Sequence, residues 1–369
     1  MRDDKVPGLV ALVARGDQVH VEALGSLTIG VAPMQRDSLF RISSTTKPLT
    51  GAATLALIDE GLLDLDEPID RLLPELANAR VRRRMDGPLD ETVPADRAIT
   101  VRALLTFTYG FGMVMEMFMA SEPWPIVAAA TDLHLAVIGP PSPAEQPDPD
   151  TWMAALGSLP LLAQPGERWL YNAGALVLGV LLARAAGMPI ADVLRTRIFE
   201  PLGMRDTAFW ARDVGRLATA YSSTPAGLEV WDGPDGQWSQ PPAFGDAAAG
   251  LVSTVDDLLA FARMLLRGGD PVLSGNAVKE MTRDQLTPEQ KARAGNGFLD
   301  GRGWGFCQSV ITEGPHAGAY GWDGGLGSSW LVDPIRDVTV IVLTQRLFDD
   351  PLGPQVHRDL QAEAYSALA

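Results

Sequence analysis

The sequence is poor in the residues that metal sites and disulfides require. Cys307 is the only cysteine, so the chain can form neither an intramolecular disulfide nor a cluster of thiolate zinc ligands. The four histidines are scattered, and none lies within helical or hairpin spacing of another or beside a plausible nucleophilic serine. These absences disfavour a zinc site and a Ser-His-Asp relay, and we expect a protein that needs no metal and no organic cofactor.

Positive charge and long apolar segments are also scarce. The 30 lysines and arginines are outnumbered by 46 aspartates and glutamates, which gives a formal net charge of −16. Such a charge repels nucleic acid and anionic membrane surfaces, so neither is expected as a partner. No stretch approaches the ~18 uninterrupted apolar residues of a membrane span, and no signal peptide is evident. We therefore expect a cytoplasmic protein.

The remaining composition is that of an ordinary globular protein. Of the 369 residues, 46% are hydrophobic and 21% are charged, which disfavours disorder and repeats. β-Prone runs lie at both ends of the chain, and helical spacing dominates the middle. We predict an α/β (α+β) fold with an antiparallel sheet flanked by helices and built from both termini. The predicted domains are residues 1–61 together with 213–369, and an inserted, mostly helical domain at 62–212.

The predicted elements follow from local patterns. Two β-prone runs at 9–14 and 19–25 flank the turn-forming sequence Arg-Gly-Asp-Gln and predict a hairpin. Further strands are predicted at 38–42, 303–311, 328–332 and 338–343. Helices are predicted from just after 43–46 to about 61, and at 99–106, 152–163, 173–186, 190–199, 258–266 and 355–367. Five prolines mark 139–150 as a surface loop, either a lid or a passive connection. Four arginines at 80–84 indicate a solvated helix face.

The first candidate for chemistry is Ser-Thr-Thr-Lys at 44–47, where a helix is predicted to start. Positions i and i+3 share a helix face, so the Ser44 hydroxyl and the Lys47 amine can come within hydrogen-bonding distance. A desolvated lysine loses its proton more readily, which would make Ser44 a nucleophile and Lys47 its base. Pro48 places the motif in the first helical turn, where free N–H groups favour an anionic intermediate. The alternative is a capped helix with a surface lysine.

The second candidate is Tyr171, in the segment Pro-Gly-Glu-Arg-Trp-Leu-Tyr-Asn at 165–172. A Pro-Gly turn leads into a polar and aromatic loop that would present this tyrosine from between packed elements. A tyrosinate close to a protonated lysine could serve as a general base. The alternative is a half-buried aromatic residue whose hydroxyl is satisfied by a structural hydrogen bond.

The third candidate is the glycine-rich segment Gly-Trp-Asp-Gly-Gly-Leu-Gly-Ser-Ser-Trp at 321–330. Glycines beside a strand let the backbone approach a ligand closely and leave N–H groups free to bind an oxyanion. The alternative is a glycine-rich hairpin loop without a ligand.

Together these segments resemble the serine β-lactamase and penicillin-binding-protein superfamily, most closely its class C-like branch of family VIII carboxylesterases. The resemblance covers nearly the whole chain and includes stretches at 104–110, 165–179, 200–204, 250–254 and 330–334. It implies a β-lactamase/transpeptidase-like fold, Ser44 as the acylated nucleophile, and proton transfer shared by Lys47 and Tyr171. It also implies an oxyanion hole formed by the backbone N–H groups of Ser44 and Gly325. The substrate-binding positions by the same resemblance are Trp322, Asp323, Gly324, Asn172 and Tyr109.

Two departures from the family pattern bear on the substrate. The third motif usually begins with lysine or histidine, whose charge helps to hold a substrate carboxylate, but Trp322 is neutral and bulky. An ester without a carboxylate therefore suits this site better. Asn172 follows Tyr171 directly, whereas the family's asparagine stands two positions after the tyrosine.

We accordingly expect a serine hydrolase that cleaves carboxylic esters through an acyl-enzyme, with a small-molecule ester as its partner. One alternative keeps the Ser/Lys/Tyr site and changes the reaction to that of a β-lactamase, a D-alanyl-D-alanine carboxypeptidase or an acyltransferase. The other alternative is a catalytically silent binding protein.

Overall fold

The computed structural model describes residues 6–295, 299–350 and 353–367. Its strands are β1 (Gly8–Arg15), β2 (Gln18–Thr28), β3 (Ala32–Pro33), β4 (Phe40–Arg41), β5 (Arg80–Arg82), β6 (Thr92–Pro94), β7 (Ala220–Thr224), β8 (Gly227–Asp232), β9 (Val252–Ser253), β10 (Arg302–Trp304), β11 (Ser309–Ile311), β12 (Tyr320–Gly324), β13 (Ser328–Asp333) and β14 (Val338–Thr344). Its α-helices are α1 (Thr46–Asp59), α2 (Val101–Leu105), α3 (Met115–Met119), α4 (Pro125–Asp132), α5 (Pro149–Gly157), α6 (Ala173–Ala186), α7 (Ile190–Leu194), α8 (Glu200–Leu202), α9 (Val255–Leu266), α10 (Gly275–Met281), α11 (Pro288–Arg293) and α12 (Gln355–Ser366).

An eight-stranded antiparallel sheet lies at the centre of the molecule, in the order β10-β11-β12-β13-β14-β1-β2-β3. β1 and β2 form the predicted hairpin, with Arg15 opposite Gln18 at the turn. β1 also pairs with β14, so that Leu9 lies opposite Thr344. Segments from near both ends of the chain therefore build one sheet.

Helices cover both faces of this sheet because its central strands are apolar on both sides. Alternate residues Val338, Val340 and Val342 of β14 belong to a cluster completed by residues of α12. Ile341 and Leu343 point the other way, into the large core that contains residues of α1, α6 and α9. This arrangement confirms the predicted fold class, an antiparallel sheet flanked by helices.

α1 and α6 pack against each other inside the core. Each of these helices directly follows a segment that carries a candidate catalytic residue. α1 is buried from Thr46 to Leu57, and α6 is buried from Ala173 to Leu182. A helix that is apolar or small on all sides is typical of the interior of a large domain. Because α1 follows Ser44 and α6 follows Tyr171, their packing ties these two side chains to one rigid unit.

Two predicted elements are wrong. The single strand at 303–311 is the antiparallel pair β10 and β11, because the chain turns between them: Cys307 has a φ of 60°, and the Gly305 amide donates to the Gln308 carbonyl. The arginine run at 80–84 is not a helix face, since β5 pairs with β6 and Arg82 is buried. Alternation along a strand sends neighbouring charges to opposite sides, which a charge run alone does not reveal.

The proline-rich segment is irregular up to Asp148, and α5 begins earlier than predicted, at Pro149, and ends at Gly157, well before the predicted end at 163. Asp148 caps this helix by accepting hydrogen bonds from the amides of Asp150 and Thr151.

The boundaries of the inserted domain stay a prediction. Over the described residues, no single helix has both the length and the apolar character to cross a membrane; Ala173–Ala186 and Ile190–Leu202 qualify only as a pair bent by 81°.

Candidate active site

Ser44 and Lys47 face each other at the start of α1. Ser44 lies in a 3-10 turn, Ser43–Thr45, and Ser43 has a φ of 44°, a left-handed conformation uncommon for a residue with a side chain. Lys47 Nζ lies 2.8 Å from Ser44 Oγ and 2.9 Å from the carbonyl oxygen of Ala248, and it donates to both. Lys47 is fully buried, whereas Ser44 is 9% exposed. The turn therefore keeps the amine away from water, while Ser44 retains a small exposed fraction.

Burial lowers the pKa of Lys47 to about 7, because the ammonium form is removed from water. The negative charge of Asp246 and the Cys307 thiol act in the opposite direction. The ring of Tyr171 also lies close, with its centroid 4.8 Å from Nζ. Near neutral pH a substantial fraction of Lys47 is therefore neutral and able to accept a proton.

Asp246, which the sequence analysis missed, organises the turn that Lys47 contacts. Its Oδ1 accepts hydrogen bonds of 2.8 Å from the amides of Ala248 and Ala249. These bonds direct the Ala248 carbonyl toward Lys47. Burial raises the pKa of Asp246, while the two amides and the charge of Lys47 favour the carboxylate. In the sequence, Asp246 is recognisable only as an aspartate that precedes the small residues at 247–250. This pattern does not indicate that the turn contacts Lys47 on α1.

Tyr171 lies beside both Lys47 and Trp322. Backbone hydrogen bonds to Met113 in both directions, 2.8 and 3.0 Å long, fix its position. Its Oη accepts a hydrogen bond of 2.7 Å from Trp322 Nε1. Burial raises the pKa of Tyr171 above its ordinary value, and hydrogen bonds with Ser44 and Trp322 oppose this only in part. Tyr171 is thus a neutral phenol near pH 7, not the tyrosinate considered from the sequence.

Aromatic rings surround the phenol and explain why burial dominates. Trp304 and Trp322 meet edge to face, with ring centroids 4.9 Å apart, and Phe107 lies 4.9 Å from Trp304. Trp169 lies 5.6 Å from Tyr171 by the same measure. This cluster excludes water from one side of the site and lowers the local dielectric.

Two of the predicted substrate-binding residues, Asn172 and Tyr109, are buried. Asn172 has a φ of 82°, and its Nδ2 donates a hydrogen bond of 3.2 Å to the carbonyl oxygen of Val137. Tyr109 is 0% exposed, and its hydroxyl has no hydrogen-bond partner among the described residues. In this conformation Tyr109 offers no surface to a substrate, because the side chain is enclosed on all sides.

β12 brings the glycine-rich segment directly against Ser44. A Cβ atom at Gly324 would clash with the Ile42 carbonyl oxygen and the Ser328 hydroxyl, and would lie 3.1 Å from the Ser44 amide nitrogen. Gly325 borders open space, since a Cβ there would have no neighbour within 4 Å. The Ser44 amide and the backbone at 324–325 are therefore adjacent and border an opening, as an oxyanion hole requires.

Hydroxyl groups hold the 3-10 turn to this part of the sheet. Ser328 Oγ donates to the Ile42 carbonyl at 2.6 Å and lies 2.9 Å from Thr45 Oγ1. Thr45 Oγ1 in turn donates to the Trp322 carbonyl at 3.4 Å.

Asp323, a predicted substrate contact, is half-buried on β12 opposite Ser329. Across the described ranges, no group of three or more His, Cys, Asp or Glu side chains is arranged to hold a metal ion.

Comparisons with known proteins extend over nearly the whole chain. The family model described as Beta-lactamase matches residues 1–364. Protein Rv1367c of Mycobacterium tuberculosis (strain ATCC 25618 / H37Rv) is 39% identical over 353 residues, which cover 90% of this chain and 83% of that protein. Esterase EstB of Burkholderia gladioli is 30% identical over 384 residues, 96% of this chain and 90% of the esterase. The solved structure of EstCE1, a hydrolase with promiscuous acyltransferase activity, is 26% identical with a TM-score of 0.80, covering 97% of this chain and 94% of that one.

Proposed function

This chain belongs to the beta-lactamase family and is a serine hydrolase, and from that premise we propose that it cleaves carboxylic esters through an acyl-enzyme on Ser44. The observation that carries the proposal is the 2.8 Å hydrogen bond between the Ser44 hydroxyl and a fully buried Lys47. Similarity to Esterase EstB supports an ester as the substrate.

In the acylation step, neutral Lys47 takes the hydroxyl proton while Ser44 Oγ attacks the carbonyl carbon of the ester. The backbone N–H groups of Ser44 and Gly325 stabilise the resulting tetrahedral oxyanion. Collapse of this intermediate breaks the bond to the alcohol oxygen and leaves the acyl group on Ser44. Tyr171 is hydrogen-bonded to Ser44, and its ring centroid lies 4.8 Å from Lys47 Nζ, so we assign it the transfer of a proton to the departing alcohol, a proton that it regains from Lys47.

In the deacylation step, a water molecule replaces the alcohol. Lys47 takes one proton from this water as its oxygen attacks the acyl carbon, and the same two N–H groups bind the oxyanion. The bond to Ser44 Oγ then breaks, the serine oxygen receives the proton, and the carboxylic acid leaves. Ser44 and Lys47 return to their starting states.

The pH dependence of kcat/KM should follow the ionisation of Lys47. Only the neutral amine can take the Ser44 proton, so activity toward p-nitrophenyl butyrate should rise as the pH increases through about 7. Asp246→Asn keeps an oxygen for the two turn amides and removes the charge that raises the pKa of Lys47. The acid limb of the profile should therefore shift to lower pH in this variant.

The matched control for this profile is Asp257→Asn. Asp257 is also a buried carboxylate, but it accepts hydrogen bonds from Thr207 and Asp206 and does not contribute to the pKa of Lys47. Its substitution should leave the midpoint of the acid limb unchanged. An unshifted midpoint in Asp246→Asn would remove Asp246 from the control of Lys47.

Substrate choice tests the ester proposal against the β-lactamase alternative. A penicillin carboxylate that meets Trp322 in place of a cation forgoes a charge-assisted hydrogen bond of about 1.5 to 3 kcal/mol. That loss corresponds to a roughly ten- to hundredfold handicap, and short neutral esters do not suffer it. We expect kcat/KM for p-nitrophenyl butyrate to exceed that for benzylpenicillin by at least about two decades. Comparable values would favour the β-lactamase alternative.

Acyl transfer is the second candidate, favoured by the similarity to EstCE1. An alcohol that takes the place of water in the second step would give a new ester by the same proton transfers. Hydrolysis in the presence of butanol separates the two outcomes, because transfer yields the butyl ester and hydrolysis yields only the acid.

A further inference from the structure

The turn between β12 and β13, residues 324–327, carries the proposed oxyanion donor, the amide of Gly325. Three of these four residues are glycines, which have the greatest backbone freedom of any residue. Inside the turn, the Gly327 amide donates to the Gly324 carbonyl at 2.9 Å. That carbonyl and the Gly325 N–H belong to one planar trans peptide group and point in opposite directions, so the bond fixes the direction of the N–H. The hairpin itself therefore holds one side of Gly325.

Phe348 holds the other side of Gly325. Its amide donates a hydrogen bond of 2.8 Å to the Gly325 carbonyl, which belongs to the next peptide group along the turn. Phe348 follows β14, and its segment is bound to β7. The Tyr221 amide donates to the Gln345 carbonyl at 2.8 Å, and the Leu347 amide donates to the Tyr221 carbonyl at 2.9 Å. The Phe348 amide thus reaches the turn from a segment with its own anchors, and both peptide groups that flank Gly325 are held.

The ring of Phe348 is held from two sides. A Cβ atom at Gly353 would lie 2.8 Å from two carbon atoms of this ring, so the ring lies directly on the Gly353 backbone. The imidazole of His357, on α12, meets the ring edge to face, with ring centroids 5.7 Å apart. His357 is 3% exposed, so this contact belongs to the interior. Packing of the ring therefore connects the Phe348 amide to the start of α12.

α12 covers the face of the sheet opposite to the candidate catalytic residues. Gln361 Nε2 of α12 donates to Ser329 Oγ at 3.0 Å, and Asp323 lies directly opposite Ser329, so both side chains face α12. Trp322, the neighbour of Asp323 on β12, points to the catalytic face. Burial lowers the pKa of His357, and the charge of Asp323 opposes this only in part, so the imidazole is neutral near pH 7. Asp323, a predicted substrate contact, thus faces the helix that supports Phe348.

We propose that Phe348 is a positioning residue for ester cleavage. Its ring, packed on His357 and Gly353, keeps its amide on the Gly325 carbonyl, and this bond keeps the Gly325 N–H aimed at the oxyanion. The proposal rests on the proposed esterase function, because it assigns the support of the same oxyanion hole. Phe348 acts through Gly325 and need not touch the ester, so loss of its ring should lower kcat and leave KM nearly unchanged.

Variants of the two packed rings test this support. Phe348→Ala should lower kcat for p-nitrophenyl butyrate by roughly ten- to a hundredfold, at or below the loss seen when an oxyanion donor is removed outright. His357→Ala should lower kcat in the same direction, and His357→Phe, which keeps a neutral ring against Phe348, should restore most of it. Wild-type kcat in a folded Phe348→Ala protein would overturn the proposal. A His357→Phe protein as slow as His357→Ala would overturn it too, since the ring contact would then have no effect.

Leu360→Ala is the matched control on the same helix. Leu360 is half-buried on α12 and packs against the cluster of β14 valines, so its truncation also weakens the packing of α12. The Tm of this variant should fall, while its kcat should match that of the wild type because the contacts of Phe348 are kept. Measurement of Tm beside kcat for every variant separates the two effects. A fall of kcat in Leu360→Ala as large as that in Phe348→Ala would reduce Phe348 to general packing and overturn the proposal.

Amide hydrogen exchange separates failure of this inference from failure of the esterase proposal, because it does not require turnover. The Gly327 amide, bonded to the Gly324 carbonyl, is protected only while the turn is ordered. Peptides that span 324–327 should exchange faster in Phe348→Ala than in the wild type, and at the wild-type rate in Leu360→Ala. Absence of butyrate hydrolysis in the wild type would contradict the esterase function, whatever the exchange shows. Unchanged exchange in a folded Phe348→Ala protein would contradict the positioning role, and wild-type hydrolysis of butyrate would then leave the esterase function intact.

Discussion

Replacing Ser44 with alanine is expected to reduce ester hydrolysis by at least about 10⁴-fold while the protein stays folded. The substitution removes the oxygen proposed to attack the ester, which among the described residues is the hydroxyl bonded to Lys47 Nζ, at 2.8 Å. Ser44 is only 9% exposed and its methylene group remains in alanine, so packing should change little. The measurement is kcat for p-nitrophenyl butyrate, with circular dichroism as the check on folding.

Ser158→Ala is the matched control for this loss. Ser158 is exposed at the end of α5, where its hydroxyl donates to the Ala155 carbonyl, and its removal should leave kcat unchanged. Intact mass spectrometry adds a direct readout, because an ester with a slow second step should leave an acyl adduct on the wild type and none on Ser44→Ala. Substantial turnover by a folded Ser44→Ala protein would refute the proposed nucleophile.

Gly324→Ala should lower kcat by roughly 10²- to 10³-fold, the range seen when one oxyanion donor is lost. The added methyl group cannot fit between the Ile42 carbonyl and the Ser328 hydroxyl, so β12 must move away from the Ser44 amide. That movement separates the two N–H groups which are meant to bind the same oxygen. KM should change much less than kcat, since the oxyanion forms only after the ester has bound.

Gly275→Ala is the control for Gly324→Ala, because it adds the same methyl group at a glycine where there is room for it. A Cβ at Gly275, the first residue of α10, would have its nearest neighbour at 3.7 Å, so alanine fits there without displacement. We expect its kinetics to match those of the wild type. Wild-type kcat in Gly324→Ala would show that the approach of β12 to Ser44 is not needed for catalysis.

The parts of this protein that could be predicted from sequence are those set by short-range patterns. The hairpin of β1 and β2 follows from two β-prone runs and a turn, and the distance between Ser44 and Lys47 follows from helical geometry. α6 was predicted with its exact bounds because its apolar residues continue for the whole helix. Such features are set by residues that are close together in the sequence, so they can be recognised in one sequence without knowledge of the fold.

The features that escaped prediction depend on contacts between distant segments. Asp246 controls a carbonyl that meets Lys47, and nothing near Asp246 in the sequence reveals this partner. The family resemblance implies that Trp322 contacts the substrate, but not that its indole N–H is bonded to Tyr171. The burial of Arg82 was missed because strand pairing, and not the local run of charge, decides which side chains face inward.

The pairing of β1 with β14 and the approach of β12 to Ser44 make the proposed active site a late product of the biosynthesis of this protein. Leu9 meets Thr344, and the turn of Ser44 meets Gly324, so the proposed nucleophile leaves the ribosome long before the strand that completes the proposed oxyanion hole. Contacts at such large sequence separation form slowly, because the chain entropy of a long loop must be lost before they contribute. Until β12 to β14 arrive, the nascent hairpin exposes an apolar strand edge that can associate with other chains. A chain that stops before β12 carries Ser44, Lys47 and Tyr171 and still lacks Gly325, the proposed second donor to the oxyanion.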